Sequence, residues 1–171
     1  MRLTMLLLAG TGLFPIQQAA GQAPARPAQD CSGPDHRAFD FWLGDWNVTT
    51  NGAQAGTNLI TATQQGCILH EHWRGADGSS GESFNFFDRT TGQWNQLWID
   101  TRGFVLRLAG GLEEGTLRMR GETRGPRGGI AQQRLAFTPN PDGTVRQLWE
   151  ISSDGGATWT VLFDGLYTRQ Q

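Results

Sequence analysis

Residues 39–48 read FDFWLGDWNV, with Trp42 and Trp46 four positions apart, Gly44 between them and carboxylates at Asp40 and Asp45. Such a stretch can line an active site, frame a ligand pocket, or open a β-barrel whose end must be closed by large side chains. The residues that follow favour the third use. From Trp42 onward, short runs of β-branched, aromatic and aliphatic residues are broken about every ten positions by Gly, Asn or Asp. The runs predict strands at 45–50, 57–64, 67–74, 81–88, 93–100, 103–109, 116–123, 130–138, 144–152 and 159–168.

The connections GADGSSG, DRTTGQ, DTRG, GGLEEG, TPNPDGT and SSDGGAT supply residues that start turns or tolerate positive φ, as hairpins require, so the sheet is expected to be antiparallel. Alternation assigns faces. Leu117 and Met119 oppose Arg118 and Arg120; Val145, Gln147, Trp149 and Ile151 oppose Arg146, Leu148 and Glu150; Trp159, Val161 and Phe163 oppose Leu162. Polar residues recur on apolar faces, with Gln96 between Trp94 and Trp98, and Asn85 sharing a face with Ser83 and Phe87. A dry sandwich tolerates this poorly, whereas a barrel enclosing water or ligand tolerates it well. Helix is scarce: residues 35–44 alone suit a helical or 3₁₀ turn, capped by Asp35 or Ser32, that plugs one end. The expected fold is all-β, a single antiparallel up-and-down barrel of about ten strands with a short N-terminal plug.

The N-terminus reads as targeting. Arg2, an apolar run from Met5 and small residues near Gly21 make a secretory signal peptide over 1–21, followed by a Pro- and Ala-rich lead-in over 22–34 and a barrel domain over 35–171. A periplasmic or secreted location follows as an expectation, with no transmembrane segment in the mature chain. The formal net charge is −2, and the 14 basic residues, all arginine, are scattered, which argues against a nucleic-acid partner. Cys31 and Cys67 either pair in an oxidising compartment or leave Cys67 as a buried thiol in an apolar strand.

The motif FWLGDWNV resembles the GxW signature on the first strand of the calycin superfamily, with Gly44 and Trp46 as its Gly and Trp. With GCILHEHW, GESFNFFDRTTGQWNQLWID and SSDGGATWTVLFDGLYTR, the chain over 36–169 resembles a family of exported bacterial proteins of unknown function with a lipocalin-like barrel. The resemblance implies that Trp46 packs across the barrel bottom, and it implies no activity. The chain lacks the C-terminal helix of lipocalins. It also has no histidine after His72 to match the axial ligand of nitrobindin.

Candidate chemistry is sparse. His70 and His72 share one face of a strand, with Glu71 on the other, and with Glu82, His36 or Asp40 could ligate Zn or Cu; the plainer alternative is a hydrogen-bonded pair, and no cofactor is expected. Glu71, Glu82, Asp100 and Glu150 need a partner if they point inward, most simply Arg74, Arg107 or Arg134; otherwise they form surface pairs. Residues 152–159, SSDGGATW, match an Asp-box, in which Asp154 anchors a turn and Trp159 packs the hairpin. GPRGG at 125–129 lacks the features of a phosphate loop.

The first functional expectation is binding of a small apolar or amphipathic molecule by Trp42, Phe84, Phe86, Trp94, Trp98 and Trp149, subject to a register that a one-residue slip reverses. The second is an isomerase-, cyclase- or hydratase-type cavity enzyme using His70, His72 and Glu82 as acid and base. The third is a filled structural barrel that associates through an outer face, for example as a homodimer.

Overall fold

In a computed structural model that describes residues 30–125 and 128–170, the chain forms one closed, all-antiparallel barrel. Its strands are β1 (Gly44–Thr50), β2 (Ala53–Thr63), β3 (Ile68–Gly75), β4 (Ser80–Asp88), β5 (Gln93–Asp100), β6 (Val105–Glu113), β7 (Thr116–Arg124), β8 (Ile130–Pro139), β9 (Val145–Ser152) and β10 (Thr160–Arg169). Each pairs with its sequence neighbours, and β1 pairs with β10, Val48 opposite Tyr167, so no edge strand is left unpaired. The expected signal peptide, and the lead-in up to residue 29, lie outside the described residues.

Two strands run longer than the sequence predicts. β2 begins at Ala53 because the turn before it needs only Asn51 and Gly52, both at positive φ (51° and 77°), the geometry of a two-residue hairpin. β6 extends to Glu113, because Gly110 and Gly111 are strand residues and the turn is Glu114–Gly115. A bulge between Val161 and Phe163 also breaks the alternation expected of β10: Val161 and Leu162 are both exposed, and Leu162 and Phe163, adjacent in sequence, both reach the interior lining.

One end of the barrel is sealed. The helical turn α1 (Pro34–Arg37) and a 3₁₀ turn at Asp40–Trp42 lie across it. Gly33, rather than Asp35 or Ser32, stands at the N-cap of α1 with no side-chain cap, and Pro34 occupies the first helical position, where its missing N–H costs nothing. Phe39 stacks on Trp42 (centroids 4.8 Å apart) and meets the edge of Trp94, while Phe137 closes against both Phe39 and Trp42. Trp94 Nε1 donates to the Asp35 carbonyl (2.9 Å), tying the plug to β5.

The opening motif finishes this seal. Trp46 is fully buried, its indole N–H donates to the Trp42 carbonyl (2.9 Å), and the Arg169 guanidinium lies 4.3 Å from its ring centroid. Arg169 also donates to the Leu43 carbonyl (3.0 Å). Gly44 is required beneath them: its φ is 138°, and a Cβ there would collide with that guanidinium. A disulfide joins Cys31, just before α1, to Cys67, immediately before β3. Closing a loop of 36 residues is worth about 4 kcal/mol of chain entropy.

Outside the barrel, carboxylate and guanidinium meet across strands. Arg134 and Glu150, directly opposite on β8 and β9, bond in two places (2.5 and 2.8 Å), as do Arg146 and Asp164 (2.7 Å each). In the β9–β10 turn, Asp154 accepts from the Thr158 N–H (2.9 Å) and the Ser152 hydroxyl (2.7 Å). Those bonds and one from the Thr158 hydroxyl hold its pKa well below the usual carboxylate range. Trp159 folds back, its N–H on the Gly156 carbonyl (3.1 Å) and its ring under Arg134.

Candidate functional site

The other end of the barrel is open. A chamber of about 1360 Å³ runs inward from the loops following β3, β5 and β7. Its walls carry Trp73, Trp98, Trp149 and Phe163, with Leu106 and Leu135 between them. Phe104 sits at the mouth, 6.2 Å from Trp149 between ring centroids. Two of the indoles lie flat against the wall because the adjacent strand offers no side chain beneath them. A Cβ on Gly56 would strike Trp73, and one on Gly81 would strike Trp98.

The chamber floor is polar. Glu71 points inward from the middle of β3, fully buried, and its partners are neutral: Asn58 Nδ2 donates to Oε1 (2.7 Å) and the Ser83 hydroxyl to Oε2 (2.5 Å). Among the described residues no arginine bonds to it, contrary to the pairing expected for an inward carboxylate. The bonds continue in both directions. Asn85 Nδ2 donates to Ser83 Oγ (2.8 Å), and Gln96 Nε2 donates to Asn85 Oδ1 (2.9 Å). On the far side Asn58 Nδ2 also donates to the Tyr167 hydroxyl (3.2 Å), which donates in turn to Gln147 Oε1. Higher on the wall, Trp149 Nε1 donates to Gln133 Oε1 (2.7 Å).

Burial sets the electrostatics of this floor. Removal from water pushes the Glu71 carboxyl up from 4.5 to about 7 against the pull of its bonds from Ser83 and Asn58, so both protonation states are populated near neutrality. Burial and the neighbouring Glu71 charge hold the Tyr167 phenol protonated, far above its ordinary range. Gln96 and Gln147 retain amide capacity beyond the bonds named above, because each side-chain amide carries two donor hydrogens and a carbonyl acceptor. The floor can therefore orient a neutral polar group, and an added anion there would meet Glu71.

The residues expected at the site separate into three groups. Trp98 and Trp149 line the chamber. Trp42 and Trp94 are buried at the sealed end, packed with Phe39, and Trp94 is hydrogen-bonded to α1. Phe84 and Phe86 stand on the outer wall, 41% and 38% exposed, because β4 turns Ser83 and Asn85 inward to serve the carboxylate network.

The histidines do not reach the chamber either. His70, His72 and Glu82 cluster on the outer wall, with His70 Nε2 3.0 Å from Glu82 Oε2 and His72 Nδ1 3.5 Å from Glu82 Oε1. His36 is buried beside Phe87, where Arg89 Nε donates to its Nε2 (3.2 Å), and Asp40 pairs with Arg37; neither joins that cluster. His70, His72 and Glu82 therefore face away from the chamber. The sealed half is packed solid, while the other half encloses the chamber.

Sequence reasoning does not single out Asn58 or Tyr167, notes Gln147 only as a polar residue on an apolar face, and takes Glu71 as a carboxylate that needs an arginine if it points inward. One indication was available: in ILHEHW, Glu71 shares its face with Leu69 and Trp73, both of which point inward. Neither a scan against protein-family models nor a search of curated proteins gives a match to this chain.

Proposed function

We propose that this protein is an exported, calycin-like carrier that binds a small amphipathic molecule in the open half of its barrel. The observation that carries the reading is the chamber of about 1360 Å³, aromatic on its walls and polar at its floor, where none of the described arginines bonds to Glu71. That is the arrangement of a ligand site, in which apolar area supplies affinity and a few polar groups supply orientation. The apolar body would lie along Trp73, Trp98 and Trp149, and a hydroxyl, carbonyl or amide head would meet Gln96 and Gln147. A carboxylate head is disfavoured, since it would share a dry floor with Glu71. The Cys31–Cys67 disulfide and the signal-like N-terminus support a periplasmic or secreted location.

The test has two parts. Native mass spectrometry of protein purified from its source cells should find a co-purifying small molecule. Titration of the purified protein with N-phenylnaphthylamine, a neutral apolar probe with one N–H, should give saturable fluorescence that Trp149→Ala weakens. A fatty acid of similar length should compete poorly. Saturable binding that is untouched in Trp149→Ala and Trp98→Ala variants would remove the chamber as the site.

Glu71 favours a second reading, in which the floor carboxyl acts as acid or base on a bound substrate, because a pKa near 7 suits proton transfer in either direction. Under that reading Glu71→Gln abolishes turnover while leaving probe binding intact.

A further inference from the structure

We propose that His70, His72 and Glu82 form a binding site for a first-row divalent transition-metal ion on the outer wall of the barrel, separate from the chamber. The two histidines stand two residues apart on β3, so both rings project from the same face, with centroids 3.9 Å apart. Glu82 lies directly opposite His72 in the β3–β4 register and diagonal to His70. One ligand atom from each of the three falls within 4.8 Å of the others.

The spacing suits an ion at the centre. Metal–ligand distances near 2.0–2.1 Å in tetrahedral geometry place ligand atoms about 3.3 Å apart. His70 Nε2 lies 3.0 Å from Glu82 Oε2 and His72 Nδ1 lies 3.5 Å from Glu82 Oε1, so each imidazole stands near that spacing from one of the two carboxylate oxygens. The donor set, two imidazoles and one carboxylate, is one that Zn²⁺ and its neighbours accept and that Ca²⁺ or Mg²⁺, which take oxygen ligands, do not. Three protein ligands leave a coordination position for water or another small ligand.

The site is held rigidly. All three residues lie within paired strands rather than loops, and Phe84, opposite His70 in the register, stacks on its imidazole at 4.6 Å with the planes 11° apart. Leu59 and Ile99, the partners of His72 and Glu82 on the neighbouring strands, flank the cluster with apolar surface. Glu71, between the histidines in sequence, faces the opposite side of the wall and takes no part.

The experiment is calorimetric titration of tag-free, chelator-treated protein with Zn²⁺ alone, with Ca²⁺ and Mg²⁺ as comparison ions. One Zn²⁺ per chain is expected, and no binding of the other two. Loss of groups that merely support a metal ligand costs about 10–100-fold in affinity, so His70→Ala and His72→Ala should each weaken binding by at least about tenfold. The double variant should abolish it, and Glu82→Gln should weaken it while Glu113→Gln leaves it unchanged. All four positions are on the outer wall, and circular dichroism melts in chelator establish that the variants fold. Co²⁺ supplies an independent reading: an intense visible d–d absorption should appear with wild type and be absent with the double variant. Zn²⁺ affinity that is equal in wild type and the double variant, or wild type that takes up no Zn²⁺, overturns the proposal.

Discussion

The two halves of the barrel are built from the same ten strands and the same alternation, yet one is solid and the other hollow. Toward α1 the inward positions are Leu69, Trp94, Leu117, Phe137 and Val145, and the aromatic plug fills the space among them. Toward the open loops the inward aromatics lie flat over glycine or against one another at the wall, and the middle layer is given to Glu71, Asn58, Gln96, Gln147 and Tyr167. The division implies that stability resides in the sealed half and that the open half carries polar groups that stability alone would not select.

The sharpest way to break this contrast is to truncate one indole in each half. Trp42→Ala, at a fully buried position stacked on Phe39, should cost about 3–5 kcal/mol, read as a lower urea midpoint at unchanged slope. Trp98→Ala, on the chamber wall, leaves no new closed cavity and should cost less than about 2 kcal/mol while weakening probe binding. Equal costs would mean that the chamber wall is as tightly packed as the seal.

The next effect belongs to the floor. The Glu71 pKa is raised on folding, so the native state binds the extra proton, and its stabilising contribution is full below pH 4.5 and lost as pH rises through about 7. At pH 8 the buried carboxylate should cost the protein about 3 kcal/mol relative to pH 4.5. Glu71→Gln mimics the protonated form. The difference in unfolding free energy between variant and wild type should therefore grow from pH 5 to pH 8, which cancels the contributions of exposed carboxylates such as Asp154. A difference that stays flat with pH would place the Glu71 titration outside this range.

The same contrast explains what could be read from the chain. All ten strands were legible, because alternation and turn residues are local properties; the exceptions, the lengths of β2 and β6, arose where glycines that belong to strands resemble turns. Facing was harder. In SGESFNFFD the apolar residues Phe84 and Phe86 point out and the polar Ser83 and Asn85 point in, since the carboxylate they serve comes from β3. Hydrophobic pattern reports the core face only where the core is dry. The histidines illustrate the other difficulty: HEH places both imidazoles on one face, but register across β2 to β4 decides that this face is the outer one. Trp98 and Trp149, which share their faces with the buried Trp94 and Val145, were the assignments that this logic could reach.

Glycine placement sharpens the distinction further. Gly81 is buried, and a Cβ there would strike the Trp98 indole and come within 3.0 Å of the Ile99 carbonyl, so Gly81→Ala should displace the ring toward the chamber. Overpacking of this kind costs about 2 kcal/mol, and here the displaced ring has empty space to enter. Probe affinity should fall more than stability, and a narrower probe should recover it.

The smallest effect tests whether the seal is one unit with the opening motif. Arg169 lies over Trp46 and donates to the Leu43 carbonyl, so it joins the last strand to the residues that begin the first. An exposed cation–π contact is worth about 0.5–1 kcal/mol, and Arg169→Gln should destabilise by about that amount, with probe binding at the far end unchanged. Because Gly44 gives way only to that guanidinium, Gly44→Ala should cost more in wild type than in the Arg169→Gln background, where part of the collision is gone. Additive losses in the double variant would show that backbone strain at φ 138°, and not the packing of Arg169, is what reserves position 44 for glycine.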